Sequence, residues 1–163
     1  MVDKNDGEEL QSRPPETEDL VKLCRDLNAN GAKYIVIGGM AIIQTGYLRA
    51  TGDIDLLIET SQENQQRVWA AMMNLPDQAV RDVQPDDLEN YVVVRVGDEI
   101  MVDLMAKACG ISYDEAKDFI RYTVIDEVEI PFANPELLWR MKQTMREKDN
   151  LDLMFLKELL KKK

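Results

Sequence analysis

The sequence predicts an α+β fold, a mixed β-sheet flanked by helices, from three observations. Short apolar or alternating runs at 34–37, 53–58, 91–96 and 99–105 read as strands. Segments with helical periodicity lie between these runs and after them, and cap and turn residues punctuate both kinds. At 163 residues the chain is long enough for one domain with a sizeable core.

Each element has its own signal. Residues 17–30 place Leu20, Val21, Cys24 and Leu27 at helical spacing, with Thr17 as N-cap and Gly31 as the stop. The run 34–37 is a short buried strand that ends in Gly38-Gly39. Residues 40–45 form a short helix closed by Gly46, and 47–52 form a loop. In 53–58 the alternation is strict: Ile54, Leu56 and Ile58 face one side, Asp53 and Asp55 the other. Ser61 caps a helix to about 74, with Val68, Trp69, Met72 and Met73 inward. Residues 76–90 are polar and poorly patterned, a loop with at most a short helix. The runs 91–96 and 99–105 read as a hairpin turning at Gly97-Asp98. Ser112 and Glu115 form a capping box for a helix to about 120. Residues 122–132 are extended. Asn134-Pro135 then opens the first of two helical stretches that fill 135–160. No repeat or linker divides the chain, so 16–163 is expected as one domain behind a tail at 1–15.

Composition narrows the chemistry. No apolar run is long enough to cross a bilayer, and the polar, acidic start carries no signal-peptide pattern. Cys24 and Cys109 are far apart and in no CxxC pair, as expected of reduced cysteines in a cytoplasmic protein. The absence of histidine excludes histidine triads, bases and metal ligands. A net charge of −11 disfavours broad binding of nucleic-acid backbones and suits a protein that collects divalent cations.

The aspartates carry the chemistry. Asp53 and Asp55 project side by side from one strand face, and two such carboxylates repel unless a cation sits between them. Mg²⁺ prefers carboxylate and phosphate oxygens, with two solvated aspartates as the plain alternative. Asp103 sits in Met101-Val102-Asp103-Leu104-Met105, opposite in face to Val102 and Leu104, where aspartate is a poor strand former. It converges with the pair if the strands are neighbours, and is otherwise an edge charge that blocks aggregation. Gly38-Gly39, between a strand and a helix, exposes backbone N–H groups to an anion, although such a turn also favours glycine for geometry alone. The combination of these features is far less common than any one of them.

Carried by these residues, the stretch GGMAIIQTGYLRATGDIDLLIE resembles the signature of the DNA polymerase β-like nucleotidyltransferase superfamily and is similar to its AbiEii-type branch from abortive-infection and toxin–antitoxin systems. The segment NPELLWRMKQTMREKDNLDLMFLKELL looks like the closing pattern of that branch. The resemblance implies a polymerase β-like fold with C-terminal helices. It implies transfer of a nucleoside monophosphate from an NTP such as ATP, with two Mg²⁺ ions (Mn²⁺ as a substitute) held by Asp53, Asp55 and Asp103. It further implies that Asp103 helps activate the acceptor hydroxyl as a base. Gly38, Gly39, Lys142 and Lys148 would contact the nucleotide's phosphates, Arg49 and Thr51 would orient the loop ahead of the aspartate pair, and Lys148-Asp149 matches the Lys-Asp step of the closing pattern. Glycine at position 39 departs from the serine of many members, so phosphate contacts there fall to the backbone. The expected acceptor is a protein, a tRNA end or a small molecule, with an antitoxin or other partner protein first among these. A catalytically silent nucleotide- or partner-binding module on the same fold is the alternative.

Overall fold

The computed structural model describes residues 12–143 and 147–162, with residues 147 and 148 in backbone only. Its helices are α1 (Thr17–Ala29), α2 (Gly38–Gln44), α3 (Gln62–Met72), α4 (Asp87–Asn90), α5 (Tyr113–Ala116), α6 (Pro135–Met141) and α7 (Glu147–Lys161). The strands are β1 (Tyr34–Ile37), β2 (Ile54–Ile58), β3 (Val94–Gly97), β4 (Met101–Met105), β5 (Lys107–Ala108), β6 (Ile111–Ser112), β7 (Ile120–Ile125) and β8 (Val128–Ala133). Six strands form one mixed sheet in the order β3-β4-β2-β1-β8-β7, and β5 pairs with β6 apart from it.

The middle of the sheet is built from the most apolar runs. All four residues of β1 are buried, and Ile54, Leu56, Leu57 and Ile58 of β2 are closed to solvent. Burial on both faces is the mark of a strand with helices on either side. Helices α1 and α3 pack together as one group, and α2, α6 and α7 as a second, with α2 lying on β1 and β2. Strand β2 runs antiparallel to β1 and parallel to β4, in a register that sets Asp55 opposite Asp103.

Most capping signals hold. The Ser61 side chain accepts from the Asn64 N–H, Ser112 and Glu115 form a capping box, and Asn134 accepts from Leu137 N–H ahead of Pro135. Asn64 is buried and binds Lys33 and Glu59, which ties α3 to the ends of β1 and β2. Helix α1 differs at its start. Thr17 is the first helical residue, and the N–H of the preceding Glu16 donates to Asp19. Helix α2 begins at Gly38, two residues earlier than its apolar pattern indicates.

The turns differ more. The β3–β4 hairpin pairs Gly97 with Met101 and Arg95 with Asp103, so its connection is Asp98 to Ile100 and not Gly97-Asp98. Asp98 is buried, and its carboxylate accepts from the backbone N–H groups of Asp77, Ala79 and Glu99. A charged acceptor with three donors holds the irregular 76–82 segment onto the hairpin. The extended stretch 122–132 is a second hairpin, β7–β8, whose turn residues Asp126 and Glu127 both have positive φ. That is the geometry of a two-residue turn usually written with glycine or asparagine. Of the tail expected at 1–15, residues 1–11 lie outside the described residues. Ser12 and Arg13 bond to the backbone of Asp98 and Glu99, and Pro15 is buried.

Asp98→Ala leaves three backbone donors without their acceptor, so it is expected to destabilise the fold by about 2–4 kcal/mol in urea titration. A change below about 0.5 kcal/mol would show that the segment is held by other means.

Candidate active site

The β2–β4 register does the first work. Parallel partners stand about 4.8 Å apart across a sheet, so Asp55 and Asp103 project side by side from neighbouring strands. Asp53 stands just ahead of β2, two residues from Asp55. One carboxylate oxygen from each of the three lies within 4.8 Å of the other two. Asp103 is the deepest, at 4% exposure.

This crowding has an electrostatic consequence. Burial, followed by the charges of Asp53 and Asp103, raises the Asp55 carboxyl from its ordinary 3.8 to about 7, although Lys142 opposes the shift. The site therefore holds a proton close to neutral pH, a property of carboxylates that are short of a cation.

The two glycines are required for space. Gly38 has φ +67°, and a Cβ there would lie 2.0 Å from Oδ2 of Asp55. A Cβ on Gly39 would lie 2.5 Å from the Thr51 hydroxyl and 3.1 Å from Nη2 of Arg49. The loop ahead of β2 is thus packed onto the start of α2, and a serine at position 39 would collide with Thr51.

Gly39, Arg49, Thr51, Asp53, Asp55, Asp103 and Lys142 share one cavity of about 360 Å³, closed on its other side by Val93, Arg95 and Met105. Lys142 is buried, and its ammonium bonds to Asp149 at 3.0 Å and lies 3.3 Å from Asp152. Arg49 meets Asp152 at 3.0 Å. Asp149 and Asp152 are fully buried on α7, so two cations from the cavity wall are anchored by two anions behind it. The Lys148 side chain, expected at the nucleotide site, lies outside the described residues.

Two members of this constellation are absent from the sequence reading. Arg95 places Nε and Nη2 on the two oxygens of Asp103, each at 2.8 Å, and Nη2 also reaches Asp53 at 3.2 Å. Strand parity carried the signal. Val94 and Val96 alternate inward, as do Val102 and Leu104, and directly paired residues must share a face. A two-residue turn at Gly97-Asp98 would pair odd with even positions and break that rule, whereas the observed register puts Arg95 on Asp103. Asp152 is the second. Asp149, Asp152 and Leu156 make the buried stripe of α7, while Leu151 and Met154 are exposed, which inverts the usual pattern.

A family model described as "Nucleotidyl transferase of unknown function (DUF2204)" matches residues 16–163. The chain belongs to this family. It is a nucleotidyltransferase, and the mixed sheet flanked by helices is consistent with that fold. Comparison with curated proteins gives no match. Among the described residues, no helix of this nucleotidyltransferase is long and apolar enough to cross a membrane.

The donor set of the nucleotidyltransferase fits a divalent cation. All the oxygens are carboxylate, as a hard cation prefers. A guanidinium already bridges two of the three residues, and the third is pushed towards protonation.

The raised Asp55 value fixes a pH dependence without metal. The folded state binds this proton more tightly than the unfolded chain does. Its contribution to stability is therefore fully present below about pH 4 and lost as pH rises through about 7. Asp55→Asn removes the titration. It is expected to stabilise the metal-free protein at pH 8 by roughly 2–4 kcal/mol, and by much less at pH 4, in denaturant titration. Equal effects at both pH values would show that Asp55 is not crowded.

Proposed function

We propose that the cavity binds an NTP and transfers its nucleoside monophosphate to an acceptor hydroxyl. The observation that carries this reading is the convergence of Asp53, Asp55 and Asp103 in one cavity with Gly39, where neither Gly39 nor the adjacent Gly38 has room for a side chain. Divalent cations, Mg²⁺ or Mn²⁺, held by the three carboxylates would neutralise the triphosphate and acidify the acceptor hydroxyl.

The chain's own groups divide the remaining work. Gly38-Gly39 lets backbone N–H groups approach the phosphates closely. Arg49 and Lys142 add positive charge along the wall, each held in place by carboxylates of α7. Thr51 fills the space beside Gly39 and supports the loop that carries Asp53. The acceptor oxygen attacks the α-phosphorus, the bond to the bridging oxygen breaks, and pyrophosphate leaves. The hydroxyl proton passes to a carboxylate oxygen of Asp103. Catalysis is then largely positioning and charge stabilisation.

For the acceptor, the surface favours protein. Leu48, Tyr91, Val92, Leu151 and Met154 are exposed, and each lies within a few residues of a group in or behind the cavity wall. A wider groove of about 700 Å³, lined in part by Tyr91, Val92, Ala106 and Lys107, begins one residue beyond Val93 and Met105 of the cavity. Apolar rims suit a protein surface, and a net charge of −11 opposes an RNA. A partner such as an antitoxin fits this reading, as does the likeness of Gly38 to Glu59 to the AbiEii-type branch. Two free cysteines, one of them exposed, fit a cytoplasmic protein.

Incubation with each α-labelled NTP, Mg²⁺ and cell extract should place label on a protease-sensitive, nuclease-resistant product. Asp103→Asn should lower labelling on the order of a hundredfold or more. Full labelling by that variant would refute the assignment, and nuclease-sensitive label would replace protein with RNA as acceptor.

A further inference from the structure

We propose that Arg95 is an exchangeable counter-ion of the carboxylate site, bound to Asp103 and Asp53 while no cation is there and transferred to the nucleotide's phosphates on loading. The inference rests on the reading of the cavity as a nucleotide site.

The geometry supports exchange over a fixed clamp. Arg95 donates to both oxygens of Asp103 and to one of Asp53, two of the three carboxylates that could hold a divalent cation. A guanidinium and a divalent cation repel each other at the close spacing of this cluster, so the metal weakens the hold of Asp103 and Asp53 on Arg95. The Asp103 side chain is only 6% exposed, whereas that of Arg95 is 59% exposed. The carboxylate is therefore fixed and the guanidinium is free to leave. Arg95 also stands on β3, an edge strand of the sheet, and among the described residues no outer strand covers it. Its backbone register with β4 holds the stem in place while the head swings. The head already lines the cavity where a triphosphate would lie, and the planar fork of arginine suits phosphate as well as carboxylate.

Exchange and clamping predict opposite signs. A clamp that preorganises Asp103 should strengthen metal binding, so its loss should weaken it. A resident counter-ion competes with the metal, so its loss should strengthen binding of metal alone and weaken binding of nucleotide.

The test uses the full chain with Mn²⁺ alone, then with α,β-methylene-ATP at saturating Mn²⁺, by calorimetry. Arg95→Gln should bind Mn²⁺ about tenfold more tightly than the wild type, and the analogue about tenfold more weakly. Arg95→Lys, which keeps the charge without the fork, should fall between. Arg67→Gln, on α3 beside Glu63 and outside the cavity, removes one charge elsewhere and should stay within about twofold of the wild type. Unchanged or weaker Mn²⁺ binding by Arg95→Gln overturns the proposal. If that variant does not fold, Arg95→Lys decides by the same sign. A wild type that binds neither Mn²⁺ nor analogue overturns the nucleotide reading and this proposal with it, which sets that failure apart from a failure of Arg95 alone.

Discussion

Three carboxylates converge where β2 and β4 run side by side, and much of the local structure accommodates that crowding. The parallel register brings Asp55 and Asp103 together. Gly38 leaves room for the Asp55 carboxylate, because any side chain would take its place. Arg95 reaches across from the edge strand to neutralise Asp103 and Asp53, while Asp55 moves towards its protonated form. Each of these features would be a liability in a structural sheet, and together they describe a site built to receive positive charge.

Behind this layer lies a second, already balanced one. Arg49 and Lys142 face Asp149 and Asp152, two cations against two anions, with both aspartates fully buried. Such pairs add little net stability over apolar packing, but they define a unique arrangement. Here they fasten α7 and the end of α6 to the loop that precedes β2. The C-terminal helices are therefore part of the site's wall, and the order of that loop depends on them. The same arrangement turns Leu151 and Met154 outward to solvent.

The sequence was most legible where one local rule decided the outcome. Burial of β1 and the caps at Ser61, Ser112 and Asn134 are all local, and the structure bears them out, whereas the strict alternation expected of β2 ends at Leu57, which is buried like its neighbours Leu56 and Ile58. The convergence of the three aspartates was readable as a condition, that the strands be neighbours, and the register meets it. Arg95 escaped because Gly97-Asp98 has the chemistry of a two-residue turn, whereas the observed register follows strand parity. The β7–β8 turn escaped for the opposite reason, since Asp126-Glu127 adopts a glycine-like conformation without glycine. Asp152 escaped because its stripe on α7 is polar, and partners drawn from residues 49 and 142 are distant in sequence. Interactions between remote charges are set by the tertiary fold and leave little trace in local pattern.

We take the crowded carboxylates to be the seat of a divalent cation at a nucleotide site. Crystals grown with Mn²⁺ and α,β-methylene-ATP, measured near the manganese absorption edge, test it most directly. Anomalous density is expected among Asp53, Asp55 and Asp103, with the phosphates against Gly38-Gly39. Bound analogue with manganese elsewhere, or with no manganese beside these three residues, would contradict it.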